Sequence, residues 1–246
     1  MIHVPRGVLA LTFVVLCGCG DGLLSPKGSD AGPFEPLPDH ETFLDVRIGG
    51  CPTAAEIASV SDIRVYWDAA ATSAPLVCTA AEGSADLSRI QKRIYFALIL
   101  MKELRFDAPL PWTDKTIYEW FRETASGVRY TAGDGNSNCC GGDRILNIFY
   151  SATDQRPVDW PLVMSSIGLL LHEARHIQSG PHLCQGKWDN LVTELNGYGV
   201  SYYFYLLIGE HADPKVIPIE YRPNALFVAC RQRGSQFCME PRQSCR

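Results

Sequence analysis

Several common chemistries are missing from this chain. No Cys-x-x-Cys pair occurs among its ten cysteines, so a thiolate zinc cluster has no basis in the spacing. No Gly-Lys-Ser/Thr follows Gly133, Gly135, Gly141 and Gly142, and no helix is expected to begin there, which excludes a phosphate-binding loop. Basic charge is scarce: 22 Lys and Arg stand against 27 Asp and Glu, for a net charge of −5. Without a basic patch, nucleic acid is not an expected partner. The leading apolar run, Gly7 to Leu16, is ten residues long, half of the roughly 20 that a membrane-spanning helix needs.

That short run follows Arg6 and ends in small residues, so residues 1–18 read as an export signal outside the fold. Its end, Leu16-Cys17-Gly18-Cys19, resembles the lipobox of bacterial lipoproteins. The resemblance implies cleavage after Gly18 and lipidation of Cys19. It places the protein in the cell envelope, anchored to the membrane on a periplasmic or cell-surface face. The alternative is a plain secretory signal. Each buried acyl methylene would contribute about 0.8 kcal/mol to anchoring. Residues 19–40 are rich in Gly, Pro, Ser and Asp and read as a flexible tether after the lipidated cysteine. Residues 41–246 form one domain of ordinary size. Eight cysteines fall within it, an even number that in an oxidising compartment predicts up to four disulfides. They allow 105 pairings, and only Cys51 with Cys78 is picked out, by their place in one short region.

Apolar periodicity sketches the elements. Thr42 to Ile48 alternates like a strand, and Ile63 to Trp67 and Pro75 to Thr79 are short strand-like runs. Asp86 to Leu104 carries Leu87, Ile90, Ile94, Ala97, Leu98 and Met101 at helical spacing, and Thr113 to Thr124 is a shorter helix. Val128 to Thr131 and Arg144 to Tyr150 read as strands. A helix follows from Asp159 and Pro161 to Gly180-Pro181, then another over Trp188 to Leu207. The tail from Ile217 shows little pattern.

Within the first of these last two helices lies His172-Glu173-Ala174-Arg175-His176, an H-E-x-x-H motif. Residues four apart share a helix face, so two imidazoles converge and Glu173 leans toward the same point. Metal-binding side chains on a helix otherwise dressed for burial need a reason, and a shared cation is one. The bland alternative is a set of ordinary hydrogen bonds. The motif resembles the zincin group of metallopeptidases, over the region from Val128 to Leu207.

The resemblance implies an α+β fold: a backing helix and small sheet, then the H-E-x-x-H helix and a second metal-site helix, braced by disulfides. It implies Zn2+ held by His172, His176 and a third ligand, with a peptide or protein as substrate. Glu194 on the following helix would fit the glutamate pattern, with Gly197 allowing close approach. His182 has the spacing of H-E-x-x-H-x-x-G-x-x-H, although Ser179 stands where that glycine belongs. Glu194 is favoured. Glu173 would be the general base for a metal-activated water, and Tyr198, or failing that Arg175, a donor to the oxyanion. Asp189 is a possible partner for a ligand histidine. Asn147 to Tyr150 would present an edge for an extended substrate. The alternative from another class is a non-catalytic lipoprotein that keeps the metal for stability.

Overall fold

Helix starts in this chain are marked by side chains that satisfy the free N–H groups of the first turn. In the computed structural model, which describes residues 47–139, 142–184 and 187–240, Thr53 and Glu56 form a capping box at α1 (Ala54–Ser59), and Asp68 caps α2 (Ala69–Ser73). The Gln91 side chain accepts from the Ser88 N–H at 2.8 Å to open α3 (Arg89–Glu103). Thr116 and Glu119 cap α4 (Ile117–Thr124) reciprocally. Asp159 accepts from Leu162 N at 3.0 Å to start α5 (Trp160–Ser179), with Pro161 in its first turn. Two further helices are α6 (Gly197–His211) and α7 (Arg222–Ser235). All described residues fall within the unit Pro38–Arg246. The export signal, Cys19 and the tether lie outside them.

The architecture is mixed α/β and about half helical. Strands β1 (Arg64–Trp67), β4 (Gly127–Ala132) and β5 (Ile145–Tyr150) form a parallel sheet in the order β1-β4-β5. A separate antiparallel pair joins β2 (Leu76–Cys78) to β3 (Leu87–Ser88). On β5 alternate residues Leu146, Ile148 and Tyr150 are buried, as the strand period requires. Helix α3 buries an unbroken run from Phe96 to Met101 and packs against α4 and α5, so it is the central pillar behind the motif helix. α6 packs on α5 and α7 on α6. Two described disulfides, Cys51–Cys78 and Cys184–Cys238, brace the ends of this unit. Cys139 and Cys230 are also disulfide-bonded. No helix among the described residues is long and apolar enough to cross a membrane.

Three expectations need correction. Arg47 to Gly49 is helical, so Ile48 is not in a strand. The helix expected from Trp188 begins only at Gly197, because Val192–Glu194 is a 3-10 turn and Leu195 sits at φ 53°. The tail is not irregular: α7 runs for fourteen residues, burying Ala225 and Ala229. It lies so close to α6 that any side chain at Gly209 would collide with Leu226.

Asp68 shows how one carboxylate joins helix to sheet. Its Oδ1 accepts from Ala71 N and from the Tyr150 hydroxyl, both at 2.8 Å, and its Oδ2 accepts from Ala132 N at 2.6 Å. Burial opposes its charge, but these bonds outweigh burial and hold it below the usual carboxylate range. Asp68→Asn places an amide donor against the Ala132 N–H. We expect unfolding in urea to show a loss of about 1–3 kcal/mol. Because the folded-state pKa is depressed, the carboxylate's stabilisation is complete above its unfolded value near 4 and is lost as pH falls through the folded value. The gap between Asp68→Asn and the unsubstituted chain therefore narrows in acid.

Candidate metal centre

The two motif histidines are placed by α5 alone. His172 is 8% exposed and Glu173 4%, on a helix that buries Val163, Ile167, Leu170, Leu171 and Ala174 around them. His172 Nε2 and His176 Nε2 stand 3.2 Å apart. The remaining nitrogens decide what that distance means. His176 Nδ1–H donates to Gly180 O at 2.6 Å, and His172 hydrogen-bonds the backbone of Gly197. With both protons committed there, the two Nε2 lone pairs face each other, an arrangement that repels unless a cation lies between them. Two nitrogens held 2.0–2.1 Å from a tetrahedral ion would be separated by about 3.3 Å. The spacing fits.

The third imidazole is that of His182. His172, His176 and His182 offer ligand atoms that all lie within 4.8 Å of one another, a group that could hold a metal ion. Helix α5 ends at Ser179, and Gly180 takes φ 78°, a conformation open to glycine, which turns the chain back so that His182 faces the pair. His182 Nδ1–H donates to Asp189 Oδ1 at 2.8 Å, leaving its Nε2 for the ion. Asp189 is fully buried. Its Oδ2 accepts from the backbone N–H groups of Tyr198 at 2.8 Å and Gly199 at 3.3 Å. It thus caps α6, whose own N-cap residue Asn196 makes no side-chain bond there. A carboxylate behind a ligand histidine fixes its tautomer and ring orientation.

Glu194, the favoured third ligand from the sequence, is not brought to this group. It is exposed on the 3-10 turn, with Asn196 Nδ2 as its contact at 3.4 Å. The spacing argument failed because the helix that was to carry it starts three residues later. Gly197 does play the part expected of it: a Cβ there would meet His172 Cε1 and His176 Nε2 at 3.0 Å. Arg175 points elsewhere, its Nε donating to Leu195 O at 2.6 Å and its Nη1 to Gln178 at 2.7 Å. It steadies the turn before α6 and pairs with neither Glu194 nor Asp189.

Electrostatics follow burial. Burial holds His172 down to about 3, helped by its histidine neighbours, and holds His176 below its ordinary range. Neutral imidazoles are the metal-binding form. Burial pushes the Glu173 carboxyl up to about 7, against smaller opposing pulls from His182 and from the Cys139 N–H that donates to it. That N–H, 34 residues upstream, carries no signal in the sequence. Tyr198 stacks on His182 at 4.7 Å between ring centroids and meets His172 edge-on at 4.4 Å. All five side chains line one cavity of about 1280 Å³, walled also by Gly135–Cys139, Trp188 and parts of α5 and α6.

Elemental analysis of purified protein is expected to find one equivalent of metal in Glu194→Ala and little in His182→Ala. Asp189→Asn should lower metal affinity about 10–100-fold. Retention of metal by His182→Ala would return the third position to another residue.

No family model, curated protein or solved structure matches this chain.

Proposed function

We propose that this chain is a zinc-dependent metallopeptidase of the zincin type, exported and anchored through a lipidated Cys19. The single observation that carries the activity is the convergence of three imidazoles beside the Glu173 carboxylate at the wall of a large cavity. A three-histidine set with a water in the fourth position suits zinc, and the neutral state of the buried rings favours binding. The α3 pillar behind the motif helix and the sheet beside it support the zincin reading. The third ligand from His182 brings it nearer to the three-histidine pattern than to the glutamate one. The disulfides support an oxidising, exported location.

When bound, zinc polarises a carbonyl and lowers the pKa of a coordinated water toward about 7. The chain's own groups do the rest. Glu173, buried beside the ligand rings on the motif helix, is placed to take a proton from the attacking water and deliver it to the leaving nitrogen. The Cys139 N–H holds its carboxylate in place between those transfers. Tyr198, packed on two ligand rings, is the hydroxyl available to the developing oxyanion.

The expected substrate edge is occupied by the chain itself. Asn138 exchanges both backbone hydrogen bonds with Asn147 at 2.9 Å, and Ser137 Oγ accepts from Phe149 N. The chain itself therefore covers β5 at Asn147 to Phe149. In an extended segment successive backbone groups point to opposite sides. Asn138 faces β5, so the backbone of Cys139 faces away from it, where its N–H donates to Glu173.

Hydrolysis of a peptide library by full-length, zinc-loaded protein tests the proposal. Glu173→Gln should lose at least about 100-fold in rate with metal content unchanged. A chelator should abolish activity and added zinc restore it. Equal rates for Glu173→Gln and the unsubstituted protein would overturn the assignment.

A further inference from the structure

Apart from the imidazoles, the charged side chains among the described residues of the cavity wall are Glu173, Arg144 and Lys187. With Glu173 assigned to the chemistry, the charges left to meet a substrate are both positive, in a chain whose net charge is −5. Both cations are exposed, and both stand where α5 stops. Arg144 is tied to the end of α4 through the Thr124 carbonyl, and Gln178 in the last turn of α5 donates to the Thr124 hydroxyl at 3.2 Å. Lys187 lies in the turn that follows the ligand His182, its backbone N–H donating to Cys184 O at 3.0 Å. The wall around Ser165, Gly168 and Ser201 is uncharged.

Arg144 is held in place for presentation. Its Nε donates to Thr124 O at 2.8 Å and its Nη2 to Glu123 O, so one edge of the guanidinium closes the C-terminus of α4. Nη1 has no hydrogen-bond partner among the described residues. A planar fork fixed by one edge offers the other in a set orientation. The backbone of Arg144 sits at φ 58°, which glycine adopts more readily. What this position gains from arginine is the side chain. The bridge between Asn138 and Asn147 is antiparallel, so Cys139, whose N–H meets Glu173, comes level with Leu146. Arg144 is two residues further, about 7 Å along the strand, which is two residues of an extended peptide.

We infer that this end of the cavity is an anion subsite, where Arg144 and Lys187 receive a carboxylate of the peptide substrate close to the bond that is cut. The inference rests on the peptidase reading for its substrate. A carboxylate accepts charge-assisted hydrogen bonds from the free guanidinium edge, and the Lys187 ammonium closes on it as a mobile point charge. A lysine or arginine side chain meets two like charges, and a carboxamide gains no charge pairing from either. The carboxylate has two sources, a Glu or Asp side chain and the C-terminus of a short peptide, which carry the same charge and the same two acceptor oxygens.

The test uses full-length, zinc-loaded protein and dye-labelled heptapeptides of alanine and serine. One Glu, Gln or Lys is moved through every position of C-terminally amidated peptides, and the Gln series is repeated with a free C-terminus. Cleavage is followed with the unsubstituted protein, and binding by fluorescence anisotropy with the inactive Glu173→Gln. A carboxylate from either source should exceed its own amide at least about tenfold in kcat/KM, with Lys peptides slowest. Which source gives the gain identifies the group held. The advantage should shrink as salt rises from about 0.05 to about 0.5 M. Lys187→Glu and Arg144→Gln should each cut it at least about threefold with metal content unchanged. Arg144 also closes α4, so Lys187→Glu, on an exposed turn, decides the matter if Arg144→Gln fails to fold. Cleavage with no carboxylate advantage, or an advantage unmoved by Lys187→Glu, overturns the subsite and leaves the peptidase standing. Carboxylate-ordered binding without any cleavage overturns the peptidase and leaves an anion-binding cleft. Neither cleavage nor ordered binding overturns both.

Discussion

Asp189 is the constraint that the site depends on. A fully buried carboxylate is costly unless its oxygens are all engaged, and here three donors engage them: one imidazole and two backbone N–H groups. The positive end of α6 adds its field to the same carboxylate. One side chain therefore orients His182, starts α6 and brings Gly197 against the other two histidines. Its backbone is tied as well, Asp189 N donating to Gln236 O and Asp189 O accepting from Cys238 N. Cys184–Cys238 closes the same junction covalently. Metal ligand, helix start and chain tail are fixed by a single buried negative charge.

Much of this was legible where local chemistry decides the structure. The motif helix could be read from Asp159, Pro161 and Gly180 because caps are local and each does what its side chain dictates. α3 was legible because its apolar face is long, and the Cys51–Cys78 bridge because few residues separate the two. The misreadings arise where long-range contacts overrule pattern. Leu191 and Leu195 fit the stripe of the next helix, yet the Leu195 carbonyl is claimed by Arg175 and its backbone turns left-handed. With the helix start displaced, Glu194 leaves the site. His182 carried the right spacing, but whether Gly180 could serve in place of a glycine at 179 is a matter of turn geometry that spacing does not encode.

Helix α7 was invisible for a different reason. Its buried face is built from Ala225 and Ala229, which give a weak apolar signal, and the close approach depends on Gly209 in another helix. Small residues that matter by what they allow leave little trace in a hydrophobic pattern. The same holds for the Cys139 N–H on Glu173, where the donor is backbone and the side chain is irrelevant to the bond.

The three ligands are therefore not equivalent. His172 and His176 take their positions from a twenty-residue helix with a buried face, so displacing them means disturbing the core. His182 lies between Gly180 and the 3-10 turn at Val192, outside any regular helix or strand among the described residues. What it lacks in packing it receives from one carboxylate and one disulfide. Coordination at His182 and docking of the Gln236–Met239 tail are thus coupled through Asp189: whatever loosens one loosens the other, while the helix-borne pair stays in place.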